Sequence, residues 1–216
     1  MRIGILGSGL VGGKLGAIFA RAGDNVVFSY SHDRKKLEKL AMDAGAKAHA
    51  GTPSEAVRGS DAVLLAVHWT RVDDVLAQAG KLSGKVLLTC TLPMSKDDTR
   101  LVIGCTHSGA EILAAKVPNA HVVSAFSTVP SEVLFSVFKK RGKGTPPDLI
   151  YCGDNKKAKK TAARLIRDVG FNPVDLGSLS MVRYVEPFSL LAAQLAYEGS
   201  GGPELSYRFE RFTKQS

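Results

Sequence analysis

A chain of 216 residues with 44% apolar composition has enough hydrophobic material for one large core, or for one core and a small second lobe, and is excluded from the disordered class. Its formal charge of +9 is spread along the sequence, with runs at 34–39, 139–143 and 156–160 that are not interleaved with aromatic residues. That pattern favours solvated helix faces and attraction for polyanionic cofactors over nucleic-acid binding.

The first stretch, Arg2-Ile3-Gly4-Ile5-Leu6, is an apolar run of strand type that enters Gly-x-G-x-x-Gly at Gly7, Gly9 and Gly12. A helix-period segment, Leu10, Leu15, Ile18 and Phe19, leaves it before Gly23. In a strand, turn and helix of this kind the first glycine permits the turn and the second lets a pyrophosphate approach the backbone. The third lets helix and strand pack, so that the helix N-terminus faces the phosphates. Gly7, Ser8, Gly9, Leu10, Val11 and Gly12 are therefore expected to hold a dinucleotide.

Asn25-Val26-Val27-Phe28-Ser29 reads as the second strand, whose end carries Asp or Glu in an NAD-selective site. Tyr30, Ser31 and His32 stand there instead, followed by Asp33, Arg34, Lys35 and Lys36. Ser31, His32, Arg34 and Lys35 suit a ribose 2′-phosphate, which points to NADP(H). Asp33 is either a delayed ribose ligand or the N-cap of the next helix, and the stripe Leu37, Leu40, Ala41, Ala44 that starts just after it favours the cap.

Ala46 to Ala50 is a short candidate strand, and Thr52-Pro53-Ser54-Glu55 has the form of a capping box with proline at the first helical position. Asp61 to Val67 is an unbroken apolar strand of the kind buried in a parallel sheet, and its end places Ala66, Val67, His68 and Trp69 beside the cofactor. His68 is either a donor to ribose or nicotinamide or a surface histidine; Trp69 is either an apolar wall of the site or a packed loop residue. A helix over Val72 to Leu82 precedes the strand Gly84 to Cys90, which ends in Thr91-Leu92-Pro93-Met94, so Thr91 and Pro93 join the same edge. Cys90 reads as a small core residue.

A helix around Ser108 to Lys116 leads to the strand Ala120 to Phe126, from which Ser127-Thr128-Val129-Pro130 turns out, adding Ser127 and Thr128 to the candidate site. The basic, Gly/Pro-rich stretch from Phe138 to Pro147 marks a domain transition, and gives an expected division into a dinucleotide-binding domain, 1–130, and a small C-terminal α/β lobe, 131–216. That lobe reads as a strand Asp148 to Gly153, a helix Lys156 to Val169, a strand Asn172 to Leu176, the apolar helix Val182 to Tyr197 and an amphipathic tail, Glu204 to Phe212. The Val182 to Tyr197 helix is apolar on more than one face, which predicts either a homodimer or burial against the first domain.

The fold class is thus α/β, a Rossmann-type doubly wound and mostly parallel sheet. Three cysteines, Cys90, Cys105 and Cys152, lack C-x-x-C or metal-ligand spacing, so no disulfide framework and no metal site are expected, which fits a reducing cytoplasm. There is no basic leader with a cleavage site, and no apolar run approaches about 18 residues, so neither secretion nor a membrane partner is expected.

In order and spacing, Gly7 to Gly12, Ala66-Val67-His68-Trp69, Val122 to Pro130, Cys152-Gly153-Asp154, and Asp175 to Ser180 with Arg183, Glu186 and Pro187 resemble the NADPH-dependent reductases of coenzyme F-420, a 5-deazaflavin. They are also similar to the cofactor domain of the STEAP metalloreductases. The resemblance runs from residue 1 to about residue 212 and implies an NADP(H)-binding Rossmann domain with a C-terminal lobe over a second, shallow pocket. It implies direct hydride transfer between nicotinamide and a deazaflavin, or a flavin, with no indispensable acid-base residue. Two positions depart from the family: His68 stands where proline commonly precedes the Trp, and Ser127 where histidine is frequent.

Two other dehydrogenase classes are not expected. None of the five tyrosines has Lys four positions on, as a short-chain dehydrogenase requires, and the residues after the sixth strand are too few for the all-helical second domain of β-hydroxyacid dehydrogenases and imine reductases. The expected function is an NADP(H)-dependent oxidoreductase passing hydride to a small-molecule acceptor; the alternative is a non-enzymatic NADPH-sensing module. An open second pocket favours the first, a filled one the second.

Overall fold

The structure is a computed structural model that describes residues 1–212. Its frame is one eight-stranded sheet built from β1 (Arg2–Leu6), β2 (Asn25–Ser29), β3 (Ala48–Ala50), β4 (Ala62–Leu65), β5 (Val86–Thr89), β6 (His121–Ala125), β7 (Asp148–Gly153) and β8 (Asn172–Asp175), in the order β3-β2-β1-β4-β5-β6-β7-β8. The first six strands are mutually parallel, β7 is antiparallel to β6, and β8 is parallel to β7. The strand order reverses between β1 and β4, the position at which open α/β sheets bind ligands beyond their carboxyl ends.

Strand side chains alternate between two cores. Ile3, Ile5, Val26, Phe28, Leu64, Leu88 and Val123 face the core covered by α1 (Leu10–Arg21), α2 (Arg34–Ala44), α6 (Val133–Lys140) and α7 (Lys156–Val169). Leu6, Val27, Val63, Leu65, Leu87 and Val122 face the one covered by α3 (Pro53–Val57), α4 (Val72–Ala79), α5 (Gly109–Lys116) and α8 (Val182–Tyr197). Two apolar faces on one sheet require a helical layer on each, which is the doubly wound arrangement the near-continuous apolar strands predict.

Local signals place the helix starts. Asp33 accepts from the amides of Lys35 and Lys36, so it is the cap of α2. Thr52 and Glu55 form the capping box of α3, Ser108 and Glu111 that of α5, and Asn155 caps α7. Against the expected elements, Val72 to Leu82 shortens to Val72–Ala79 behind a 3₁₀ turn at Trp69–Arg71, and the stretch expected as a loop from Phe138 begins inside α6. Residues 131–216 do not build a sheet of their own as far as they are described: β7 and β8 extend the first one, and the tail returns to it through a bridge between Tyr207 and Asp148. No helix among the described residues is long and apolar enough to cross a membrane.

Candidate functional site

The parallel register brings the carboxyl ends of β1, β2, β4, β5 and β6 to one edge. Two of the exits are unusual: Tyr30 after β2 has φ 61° and Phe126 after β6 has φ 66°, left-handed values that cost a bulky side chain about 1 kcal/mol or more and that cluster at functional edges.

At the β1 exit the three glycines differ in what surrounds them. Gly7 has φ 108°, and a Cβ there would lie 2.3 Å from the Ala66 carbonyl oxygen; at Gly12 it would lie 1.9 Å from the Gly7 carbonyl oxygen. Gly9 has no atom within 4 Å of that position. Turn, open approach and helix packing are thus separated as the fingerprint requires. No side chain caps α1, so its first amides point at this open space, while the Ser8 hydroxyl is already engaged with the Ser29 carbonyl at 2.9 Å. Leu10, which opens the helix-period segment of α1 and is expected at the dinucleotide, is 71% exposed at the helix start and borders the cleft.

Beside the β2 exit lies a cavity of about 330 Å³ lined by Tyr30, Ser31, His32, Arg34, Thr52 and Asp74, among others. Arg34 keeps an exposed pair with Glu38 through Nε at 2.9 Å. Lys35 is not among the lining residues: it is the second residue of α2, its amide bonded to Asp33 and its side chain exposed. Asp74, which sequence reasoning missed, comes from α4 and accepts the Tyr30 hydroxyl; that bond and one from Gln78 hold its carboxyl below the usual range, while burial and the same carboxylate push Tyr30 up to about 12.

The exits of β4 and β5 are tied to one another. The Thr91 hydroxyl donates to the Val67 carbonyl at 3.0 Å, and Pro93 is buried against Gly109. Trp69 is half-buried against the core of that face. His68 Nδ1 accepts from the Thr70 amide, and Nε2 lies 3.1 Å from Asp98 Oδ1 and 3.3 Å from the Ser95 carbonyl oxygen. Both ring nitrogens therefore have protein partners. Asp98 reaches His68 from a loop, a proximity with no signature in the strand ends.

A second cavity, about 220 Å³, opens next to the α1 start, between Leu10, Val11, Cys90, Leu92, the segment from Phe126 to Ser131, and Ser189, Ala192, Ala193 and Tyr197 of α8. Ser127 is half-exposed there, 3.3 Å from the Ser189 hydroxyl. Thr128 is 1% exposed, its hydroxyl 2.7 Å from that of Tyr207, which also accepts the Ile150 amide. Cys90 is half-buried, and desolvation pushes its thiol up to about 12, which keeps it protonated and slow to react. Lys14 at the rim donates to Ser131, and the Tyr197 hydroxyl donates to Glu132.

Of the expected site residues, the glycine turn, Ser31, His32 and Arg34 thus frame one side of the edge, while Leu10, Val11, Ser127 and Thr128 line the second cavity. Ala66, Val67, His68, Trp69, Thr91 and Pro93 form the supporting layer between them rather than lining either cavity.

Comparison with known proteins bears on the cofactor class and the fold. Residues 2–93 match the family model described as NADP oxidoreductase coenzyme F420-dependent. Metalloreductase STEAP3 of Rattus norvegicus is 29% identical over 189 residues, 88% of this chain and 36% of that protein, so the chain spans about a third of the length of the curated relatives it matches. A structure from Arthrobacter sp. FB24, proposed to be an F420-dependent NADP-reductase, superposes with a TM-score of 0.85 at 22% identity, covering 98% of this chain and 100% of that one. A hypothetical protein of Sinorhizobium meliloti gives 0.75 at 25% identity, covering 97% and 96%. The resemblance read from the motifs therefore holds at the level of the family model over residues 2–93 and at the level of fold over nearly the whole chain.

Proposed function

We propose that this chain is an NADP(H)-dependent oxidoreductase that passes hydride directly between nicotinamide and a deazaflavin, a flavin or a similar flat acceptor. The observation that carries the reading is the open cavity beside the uncapped start of α1: the dinucleotide turn and a second binding space share one edge. The family match over residues 2–93 supports the dinucleotide half. At about 220 Å³ the second cavity is smaller than the roughly 300–1,000 Å³ of pockets that enclose whole ligands, which suits an acceptor whose ring enters while the rest stays outside.

In this reading the α1 amides hold the pyrophosphate, and Ser31, His32 and Arg34 hold the 2′-phosphate. Lys35 contributes charge from the rim. The β4 and β5 ends seat the nicotinamide ribose, with Ala66, Val67, His68, Trp69, Thr91 and Pro93 as its backing. Ser127 and Thr128 shape the acceptor side. NADPH supplies the hydride; the protein supplies proximity and alignment, which can lower a barrier by about 7 to 11 kcal/mol without a proton donor. Residues 131–216 serve as the lobe that closes this second space, in a reducing compartment such as the cytoplasm.

The test is anaerobic mixing of the protein and NADPH with deazaflavin, flavin, quinone and ferric acceptors, following the nicotinamide absorbance. Oxidation with one ring acceptor class supports the reading. Tight NADPH binding with no oxidation by any of them would overturn it in favour of a sensing module. We further propose a homodimer through α8, because Tyr184, Leu191 and Leu195 leave an apolar stripe exposed after the helix has packed its other face. A monomer mass in light scattering at micromolar concentration would refute it.

A further inference from the structure

Glu186 is the one acid of α8, and it is 2% exposed. Its Oε2 accepts the Gly109 amide at 3.0 Å and its Oε1 the Ala110 amide at 3.2 Å, the first two N–H groups of α5. Buried carboxylates are rare, and burial pushes this one up to about 7 even though both amide bonds favour the charged form. It completes the cap of α5: the box of Ser108 and Glu111 serves the amides of those two residues and leaves the amides of Gly109 and Ala110 to Glu186. Glu111 of that box in turn holds Arg183 of α8, accepting from its Nε at 2.9 Å and its Nη2 at 2.6 Å. An apolar side chain in place of Glu186 would leave those two buried amides without an acceptor, so the carboxylate is specific to this helix-to-helix contact.

The same junction joins the two walls of the second cavity. A Cβ on Gly109 would lie 3.2 Å from Glu186 Oε1 and equally close to two atoms of Pro93, so helix start, carboxylate and the β5-exit segment are in mutual contact. One wall of the cavity, Cys90 and Leu92, lies just before Pro93 in that segment. The other wall is α8 beyond Glu186: Ser189 three residues on, then Ala192 and Ala193. Ser189 also reaches across to Ser127 at 3.3 Å. Directional, charge-assisted bonds fix a helix in register and rotation, which a purely apolar contact tolerates more loosely.

We infer that Glu186 is a positioning residue that sets the width of the acceptor cavity by tying α8 to the start of α5 behind Pro93. The inference rests on the reading of that cavity as the acceptor site. Glu186 touches neither the cavity nor a reacting atom. The charged groups facing it are Glu111 on α5, which opposes its ionisation, and Arg183 on α8, which neutralises Glu111.

Cys90 gives a readout that needs no activity. In a Cys105→Ser background, which removes the exposed thiol, N-ethylmaleimide labelling of Cys90 is followed by mass spectrometry for the parent, Glu186→Gln and Glu186→Leu, beside NADPH affinity and acceptor kinetics. The Leu variant is expected to label Cys90 at least tenfold faster and to raise the acceptor KM about fivefold or more, with NADPH affinity within twofold and kcat changed less than KM. The Gln variant, which keeps one acceptor oxygen, is expected to fall between, and carries the test if the Leu variant does not fold. Unchanged labelling in both variants, or unchanged KM with only a lower melting temperature, overturns the inference. If no acceptor is turned over by the parent, the functional reading fails, and the labelling arm still decides whether Glu186 holds the walls together.

Discussion

The two edges of the one sheet are built to different ends. At the amino edge polar groups are tied down: the N-terminal ammonium and Arg164 of α7 both bind Asp24, which is 1% exposed, and the Arg2 amide donates to Asp61 at 2.8 Å. At the carboxyl edge the same strands exit into a glycine at φ 108°, aromatics at φ 61° and 66°, and a helix start that no side chain caps. Non-glycine residues at positive φ and an uncapped helix start thus mark the carboxyl edge, where open α/β sheets take ligands, and the Asp24 ion pairs mark the amino edge. The contrast makes a sharp expectation: damage to the amino edge lowers stability and leaves binding alone, whereas the carboxyl edge can lose binding without losing stability.

Two glycines of the turn separate these effects, and the largest changes are expected there. Gly12→Ala puts a methyl 1.9 Å from a backbone oxygen, so the turn must shift; a loss of about 3 kcal/mol, the upper end for overpacking, and at least about 100-fold in NADPH affinity are expected. Gly9→Ala meets nothing, so unfolding should move by less than about 0.5 kcal/mol while NADPH affinity falls by a similar factor, because the methyl occupies the phosphate approach. Urea unfolding and calorimetry on both variants decide the point. Normal binding by Gly9→Ala would contradict the phosphate assignment.

Asp24→Ala is the matching blow to the other edge. It leaves an ammonium and a guanidinium without their shared carboxylate, and a loss of about 3 kcal/mol with NADPH affinity unchanged is expected. A change in affinity above about threefold would show that the edges are coupled.

Glu186 gives a pH-dependent version of the contrast on the carboxyl side. Its folded value, about 7, lies above the ordinary value of 4.5, so the folded state holds the proton more tightly between the two. Its contribution to stability is fully present below about pH 4.5 and is lost as pH rises through 7, by up to about 3 kcal/mol. Urea unfolding at pH 5 and pH 7.5 should show that decline in the parent and a flatter profile in Glu186→Gln. Equal slopes would mean that Glu186 does not titrate in this range.

The nucleotide half of this edge was legible because its signals are local. Gly7 to Gly12, the Asp33 cap and the Thr52 to Glu55 box each act within a few residues, and the bounds of β2, β7, α7 and α8 follow from periodicity and the residues that stop them. The acceptor half was not legible in the same way, because its cavity is assembled from four distant segments. Periodicity says which residues are buried and not which meet. It therefore did not reveal that the Thr91 and Thr128 hydroxyls are already bonded, that Asp98 reaches His68 across 30 residues, or that an acid in an apolar helix is buried on another helix's amides. α6 escaped because no side chain caps it and its last turn, Lys139 and Lys140, merges into the basic loop. The reversal of β7 has no local signature, since a strand reads alike in either direction.

Arg34 tests the side of the edge that charge should dominate. A charge-assisted phosphate contact contributes about 1.5 to 3 kcal/mol, so Arg34→Ala should weaken NADPH roughly tenfold or more and leave NADH nearly unchanged. Equal loss for both cofactors, or tighter NADH than NADPH binding by the parent protein, would contradict the 2′-phosphate assignment and leave Asp74 as the group that governs this cavity.

His68 should show the smallest effect, and the reason is geometric. A general acid or base must aim a nitrogen at the reacting atom, and contributes 100-fold or more when it does. Here Nδ1 is held by the Thr70 amide and hydroxyl, and Nε2 by Asp98 and the Ser95 carbonyl, so the ring braces the β5 exit loop and its nitrogens are occupied. His68→Ala should therefore keep hydride transfer from deuterated NADPH within roughly tenfold in single turnovers, the residual loss coming from a looser loop. A loss of about 1000-fold at unchanged NADPH affinity would identify His68 and Asp98 as an acid-base pair that turns toward the ligand during reaction. The carboxyl edge would then perform proton chemistry, and hydride transfer between two aligned rings would no longer describe it.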